Sequence, residues 1–517
     1  MSRVSRFLTL TGLFCTLFLA ACAGPTTYTT PLEEAQGDVL TSHQEMMTFL
    51  TELQAGTEAF TLDTVGTSVE GRPIVLLHFT SGSGEGSEGS GGQGTATGGD
   101  PLKVFIFAQQ HGNEPSGKEA AIALARDVAT GAFTGFMPQV DFYLIPQVNP
   151  DGSEAQERRN ANDMDLNRDH LTLTTPEVQA VHAVFQDIMP HVVLDVHEYG
   201  ITSSSWVDQG IRKDFGQQIG GLSNTNMPMA LRSYAWDQVI PAMEEELEAR
   251  DVALQRYLVT DGPDARFRYS TAALNDGRNS TGIYNTLSFL IEGRNGLTVE
   301  ESIRERTRQQ LETMKAFLRY LGDHAGEVKS LVEGEREKLA GPNPPEQVDL
   351  VMDYVPDPQR PTVSVGVVDV ESGARDTLVI EAFHPRVEAS VSVTRPEGYL
   401  VPSSLQDVLG VLERHGIETI PVDAPMTVRA QVYQIREVEE TTKEDKDFLE
   451  VRVTSQERRM EVPGDHFYVP SQGLQSNLIV SLLEPQSQWG LAPLPEFQYM
   501  LEPGSQYPIV RVLEVME

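Results

Sequence analysis

A chain of 517 residues is too long for a single hydrophobic core and implies two folded domains. Its formal charge of -36 argues against a nucleic-acid partner, because the phosphate backbone would be repelled, and is met most simply by solubility. The ordinary apolar content confines disorder to local segments.

At the start of the chain, Arg3 and Arg6 precede an apolar run over 8–20, which is short for a transmembrane helix. The run ends Leu19-Ala20-Ala21-Cys22, which resembles the bacterial lipoprotein cleavage box. That resemblance implies a signal peptide over 1–21 and a lipid on Cys22, against the alternative of a secretory signal with a chance cysteine. The only other cysteine, Cys15, leaves with the signal, so no disulfide is expected. Ala23 stands where an inner-membrane retention signal more often has Asp. The expected location is therefore the cell envelope, with a lipid anchor in the outer membrane facing the periplasm. Residues 22–40, rich in Thr and Pro, read as a tether.

Residues 41–53 have helical character, and 60–65 and 73–79 read as strands joined by a turn at Glu70-Gly71-Arg72. The Gly/Ser-rich stretch 81–100 buries no apolar area and reads as a flexible, enlarged hairpin loop. Strands are then expected at 104–108, 140–145, 192–196 and 287–291, alternating with helices at 115–129, 176–188 and 227–250. Ile303, Thr307, Leu311, Met314, Leu318 and Leu321 recur at steps of three and four, the apolar face of a further helix. The alternation predicts an α/β domain over 41–326, a mixed central sheet with helices on both faces. A helical, Pro-rich linker over 327–346 leads to a β-rich accessory domain over 347–517. There the alternating runs 362–368, 389–393, 427–432 and 449–453 read as strands, with one helix around 405–414. His384, His415 and His466 in that region read as ordinary core or surface histidines.

The chemistry centres on Gln109-Gln110-His111-Gly112-Asn113-Glu114, which follows a buried strand. A His and a carboxylate three residues apart at a strand end can share one metal ion, and His197, ending 192–197, offers a third ligand. Two His and one Glu make the three-ligand set of a catalytic zinc and imply hydrolysis. Asn149-Pro150-Asp151-Gly152 reads as an ordinary turn. It is followed by Arg158, the run Asp165-Leu166-Asn167-Arg168, and a late strand-end Glu292 in Glu292-Gly293-Arg294.

In this order the motifs resemble the zinc carboxypeptidases of the carboxypeptidase A type over about residues 60 to 325. The spacing from Arg158 to Asn167 is similar to that of the regulatory and bacterial branches. The resemblance implies one zinc per catalytic domain, held by His111, Glu114 and His197, with Asp165 orienting the first histidine. It implies Glu292 as general base, Arg158 as oxyanion stabiliser, and Asn167 and Arg168 as the clamp on a peptide's free C-terminal carboxylate. His191 is an alternative to His197, and Arg159 to Arg158; each is disfavoured by its position. The closing tyrosine stays open between Tyr269 and Tyr284. Trp206, Asp208, Arg266 and Arg268 stay unranked as pocket residues. The expected activity is C-terminal peptide hydrolysis. Alternatives are a related zinc amidohydrolase acting on peptidoglycan stem peptides or N-acyl amino acids, and a non-catalytic binding lipoprotein.

Overall fold

The computed structural model describes residues 27–37, 39–80, 100–296, 299–443 and 446–516. The signal segment 1–21, Cys22 and residues 81–99 lie outside the described residues. Among those described, no helix is long and apolar enough to cross a membrane.

A mixed eight-stranded sheet carries the first region. Its strands run, edge to edge, Thr61–Thr67, Pro73–Phe79, Val140–Ile145, Leu102–Ala108, Val192–Gly200, Leu287–Asn295, Gln217–Gly220 and Leu254–Arg256. The four central strands are parallel to one another. Parallel strands are buried on both faces, which is why these segments read as unbroken apolar runs. Successive side chains on a strand point to opposite faces. A Cβ at Gly117 of the helix Pro115–Ala129 would press on Val196, while one at Gly277 of the helix Gly277–Gly282 would press on Asp195. The two helices therefore cover opposite faces of the strand Val192–Gly200.

Predicted elements and observed ones differ at several places. The segment 81–100 does not close a hairpin, because Val140–Ile145 lies between Pro73–Phe79 and Leu102–Ala108. The helix expected over 227–250 is interrupted by a π turn, Ala235–Val239. Pro241 has no N–H to complete the regular ladder there. Part of the stretch read as a tether is built into the fold. Thr30 and Glu33 form a capping box on Pro31–Glu34, Leu32 is buried, and Arg126 Nη1 lies 2.5 Å from Glu33 Oε2. The helix Ser476–Leu483 has no counterpart in the sequence reading: its eight residues, all buried, are too few to separate a buried helix from a buried strand by periodicity.

The β-rich region beyond 347 contains a six-stranded antiparallel sheet with one long hairpin, Met426–Lys443 and Lys446–Val462. It is joined to the first region by more than a linker. The strand Val363–Asp369 pairs with Ile211–Lys213, and Phe267 bridges to Phe383. Tyr199, Trp206 and Phe267 from the first region share one apolar cluster with Val365, Val367 and Phe383 from the second. Truncating Phe383 to Ala is expected to cost about 3–5 kcal/mol in chemical unfolding. The whole chain should then still unfold in one transition; separate transitions for the two regions would show their cores to be independent.

Candidate metal centre

The loop after Leu102–Ala108 turns sharply, with Gln109 at φ +56°. Gly112 then passes so close to Gly152 that a Cβ would lie 1.9 Å from its carbonyl carbon, which explains a glycine there. Asn149 holds the two loops together: its Nδ2 donates to Gln110 O (3.0 Å) and its Oδ1 accepts from Gly152 N (2.9 Å). Residues 149–152 are not an ordinary turn: Asn149 caps the helix Pro150–Ala155, and this helix start scaffolds the loop that presents His111. Glu114 stands at the start of the helix Pro115–Ala129, where the helix dipole favours a carboxylate. His197 comes from the strand Val192–Gly200.

These three side chains converge. His111 Nδ1 lies 2.7 Å from Glu114 Oε1, His197 Nδ1 lies 3.0 Å from Glu114 Oε2, and the two Nδ1 atoms are 3.2 Å apart. A tetrahedral site with bonds of about 2.1 Å has ligand atoms about 3.4 Å apart, so small outward movements accommodate a zinc ion. Among the described residues this is the one cluster with metal-ligand geometry. The remote nitrogens are engaged by carboxylates, His111 Nε2 with Asp165 Oδ1 (3.1 Å) and His197 Nε2 with Asp195 Oδ1 (2.9 Å). That fixes both Nδ1 atoms toward the centre.

The local field favours a cation. Burial works to raise the carboxyls of Glu114 and Asp165, yet the neighbouring histidines, joined at Asp165 by Arg158, hold both well below the usual range. Burial likewise pulls His197 down, and Asp195 and Glu114 override it, leaving the imidazole well above its ordinary value. The donor set and its field fit zinc.

The other expected residues gather around a cavity of about 370 Å³. Arg158 Nε donates to Asp165 Oδ2 (3.1 Å), and its Nη1 lies 3.4 Å from Glu114 Oε1, with the side chain 41% exposed on the cavity. Arg159 instead points to Asp163 at the surface. Asp165 caps the turn Leu166–Arg168 by accepting from Asn167 N (3.1 Å). Asn167 is tied to protein at both ends of its amide, Oδ1 accepting from Gly277 N (2.9 Å) and Nδ2 lying 3.2 Å from His197 Nε2. Arg168 donates to Asn167 O (2.5 Å) and is exposed on the cavity, with no carboxylate within ion-pair distance among the described residues. Glu292 is the parallel-strand neighbour of His197, so the two share a face. Burial raises its carboxyl to about 7, a balance among the opposing pulls of His197 and Glu114. His191 accepts from Lys103 N (2.9 Å) just before the start of the strand Val192–Gly200, at the other end from the metal centre, and is no ligand.

Of the unranked pocket residues, Trp206 lines the cavity; Asp208, Arg266 and Arg268 do not. Tyr269 packs on Trp236 and Phe383, and Tyr284 on Phe185, so neither candidate tyrosine faces the centre. Tyr257 does, and sequence reasoning missed it. It also missed Asp195, whose signal was available: two residues before His197 on a strand, it must share that histidine's face. Lys213 and the buried pair Arg278–Asp276 (3.1 Å) also line the cavity and carried no sequence signal. A larger groove of about 1060 Å³, between 340–346 and the C-terminal sheet, holds no such metal cluster.

Comparison with known sequences decides the family. Residues 46–202 match the family described as zinc carboxypeptidase. Residues 46–202 belong to the zinc carboxypeptidase family. The matched stretch holds the three zinc ligands and stops before Glu292. Carboxypeptidase 2 of Trichophyton tonsurans is 24% identical over 430 residues, covering 80% of this chain and 76% of that protein. Carboxypeptidase E of Caenorhabditis elegans is 33% identical over 132 residues, covering 22% and 25%. Among solved structures, a metallo-carboxypeptidase from Burkholderia cenocepacia aligns over 55% of this chain and 70% of its own, at 20% identity and a TM-score of 0.42.

The zinc site makes a direct prediction. Asp195→Asn or Asp165→Asn should weaken zinc binding about 10- to 100-fold in a chelator competition, because each loosens one ligand histidine. His191→Ala should leave zinc binding unchanged.

Proposed function

We propose that this protein is a zinc-dependent metallocarboxypeptidase that hydrolyses the C-terminal bond of peptides. The observation that carries the reading is one cavity in which the His111–Glu114–His197 cluster, Glu292, Arg158 and Arg168 meet. Arg168, with no acid of its own, receives the terminal carboxylate; a guanidinium suits that task because it binds a carboxylate through two parallel bonds. Asn167 supports it from behind, holding the turn against Gly277 and the His197 ring. When bound, zinc supplies Lewis acidity to the scissile carbonyl and makes a water more acidic.

Glu292 accepts the water proton at its carboxylate and returns it to the leaving amine. Its position beside His197 on a paired strand gives it that reach without a flexible loop. Arg158 faces the oxygen that becomes negative in the tetrahedral intermediate, and Asp165 and Glu114 keep its guanidinium oriented.

Glu292→Gln should lower kcat about 10²- to 10⁴-fold with full zinc content by elemental analysis. Arg158→Ala should lower kcat about 10²- to 10³-fold. Arg168→Met should act mainly on KM for peptides with a free carboxylate. Unchanged turnover of blocked dipeptides by the zinc-loaded Glu292→Gln variant would refute the mechanism. Turnover confined to N-acyl amino acids or peptidoglycan stem peptides would make the protein an amidohydrolase instead.

The proposal includes a lipid anchor at Cys22 in the cell envelope, on the outer membrane facing the periplasm. It rests on the N-terminal sequence alone: Arg3 and Arg6, the apolar run over 8–20, the 19–22 motif and Ala23. Cys22→Ser should move the protein from the membrane fraction to the soluble fraction; retention in the membrane would refute the anchor.

A further inference from the structure

The cavity holds a cation for which the peptidase mechanism has no use. Lys213, on the short strand Ile211–Lys213, lines the same space as Arg168 and Glu292. Its Nζ lies over the rings of Tyr199 (5.5 Å) and Trp206 (5.3 Å). No carboxylate stands within ion-pair distance of it among the described residues; Glu292 is the acid that it feels through space. Burial pulls its ammonium down to about 8, with Glu292 opposing, so the group lacks a full countercharge.

Charge pairing elsewhere in the cavity sharpens the point. Arg278 is matched by Asp276, Arg158 by Asp165, and Glu198 by Arg306. Among the described residues, two cations that line the space are left without an ion-pair partner, Arg168 and Lys213. A volume of about 370 Å³ lies at the small end of ligand pockets and admits the terminal residue of a substrate. A single residue that satisfies two cations there carries two carboxylates.

We propose that Lys213 is a specificity-determining residue that takes the side-chain carboxylate of a C-terminal Glu or Asp while Arg168 takes the main-chain carboxylate. The proposal rests on the carboxypeptidase reading of the same site.

Lys213 is held ready for this task. Its backbone pairs with Val367 of the second region, and Asp214 N donates to Gly366 O (2.9 Å). Its ammonium end lies over two rings, Tyr199 and Trp206. A long flexible side chain usually loses rotamer entropy on binding; here much of that ordering is present beforehand. The net charge of -36 repels an acidic peptide at long range, but screening limits that field to about 8 Å at physiological salt. Inside the cavity the nearby cations dominate.

The rival role for Lys213 is to steady Glu292. The two are separable because an acidic-residue subsite distinguishes substrates, whereas a partner of the base affects all of them alike. The test uses the zinc-loaded full chain and benzyloxycarbonyl-Gly-X substrates with X as Glu, Gln, Leu or Lys, together with benzyloxycarbonyl-Glu-Gly. The expected kcat/KM for X = Glu exceeds that for its isostere Gln by about tenfold or more, and Lys213→Arg retains the preference. Lys213→Met brings the Glu/Gln ratio to about one, through KM for the acidic substrate. Calorimetric binding of free L-glutamate against L-glutamine to the unmodified protein gives a second readout that needs neither turnover nor a variant.

A wild-type Glu/Gln ratio near one overturns the proposal. So does a preference for the substrate with Glu in the penultimate position, or an equal fall on every substrate in Lys213→Met. Absence of turnover across the series, with glutamate still bound more tightly than glutamine, overturns the peptidase reading and leaves the acidic subsite standing. Neither turnover nor a binding preference overturns both.

Discussion

Parallel pairing of the strands Leu102–Ala108, Val192–Gly200 and Leu287–Asn295 is the constraint on which the site depends. Their register sets His197 beside Glu292, and their common direction delivers His111, His197 and Glu292 to one edge of the sheet. In open α/β sheets that carboxyl edge is where ligands bind, because loops diverge there and leave a crevice. A slip of one residue in the pairing of Leu287–Asn295 with Val192–Gly200 would turn Glu292 to the face opposite His197. Three chemically ordinary side chains become a metal centre because rigid backbone ladders leave them no other arrangement.

Rigidity in the backbone is carried into the side chains by buried acids. Asp165 and Asp195 each take the outer nitrogen of one histidine, and the backbone N–H of Glu198 holds Glu114 Oε2 at 3.0 Å. A ligand without such support would sample several rotamers and lose affinity with each. The support extends further. Gln110 Nε2 donates to both oxygens of Asp195 (2.9 Å each), while Gln110 Oε1 faces His170 Nε2 at 2.7 Å. Desolvation lowers His170, so the outer end of this chain adds orientation to Asp195 rather than a further positive charge.

The region beyond 347 takes part in the same construction. Arg414 and His415 donate to the carbonyls of Thr172 and Leu171 (2.9 Å each), bracing the segment that follows Arg168. The strand Val363–Asp369 braces the opposite wall through Ile211–Lys213. Both walls of the cavity therefore lean on side chains or strands from the β-rich region. A shared apolar cluster keeps that arrangement in place without a covalent link.

The sequence by itself determined the alternating α/β plan, the helix Pro115–Ala129, the strands Val140–Ile145 and Pro73–Phe79, and the residues that meet at the metal. These were legible because periodicity and spacing are local properties, and because His-x-x-Glu, weak alone, is followed in order by Arg158, Asp165 to Arg168, His197 and Glu292. Only the tertiary structure decided which strands are neighbours, and so removed the hairpin expected around 81–100 and fixed Glu292 against His197. It also decided that Tyr257 rather than Tyr269 or Tyr284 faces the cavity, and that Lys213 enters from a three-residue strand paired to a segment more than 150 positions away. Strand order and long-range pairing depend on the packing of surfaces that are far apart along the chain, and no window of sequence contains both partners of such a contact.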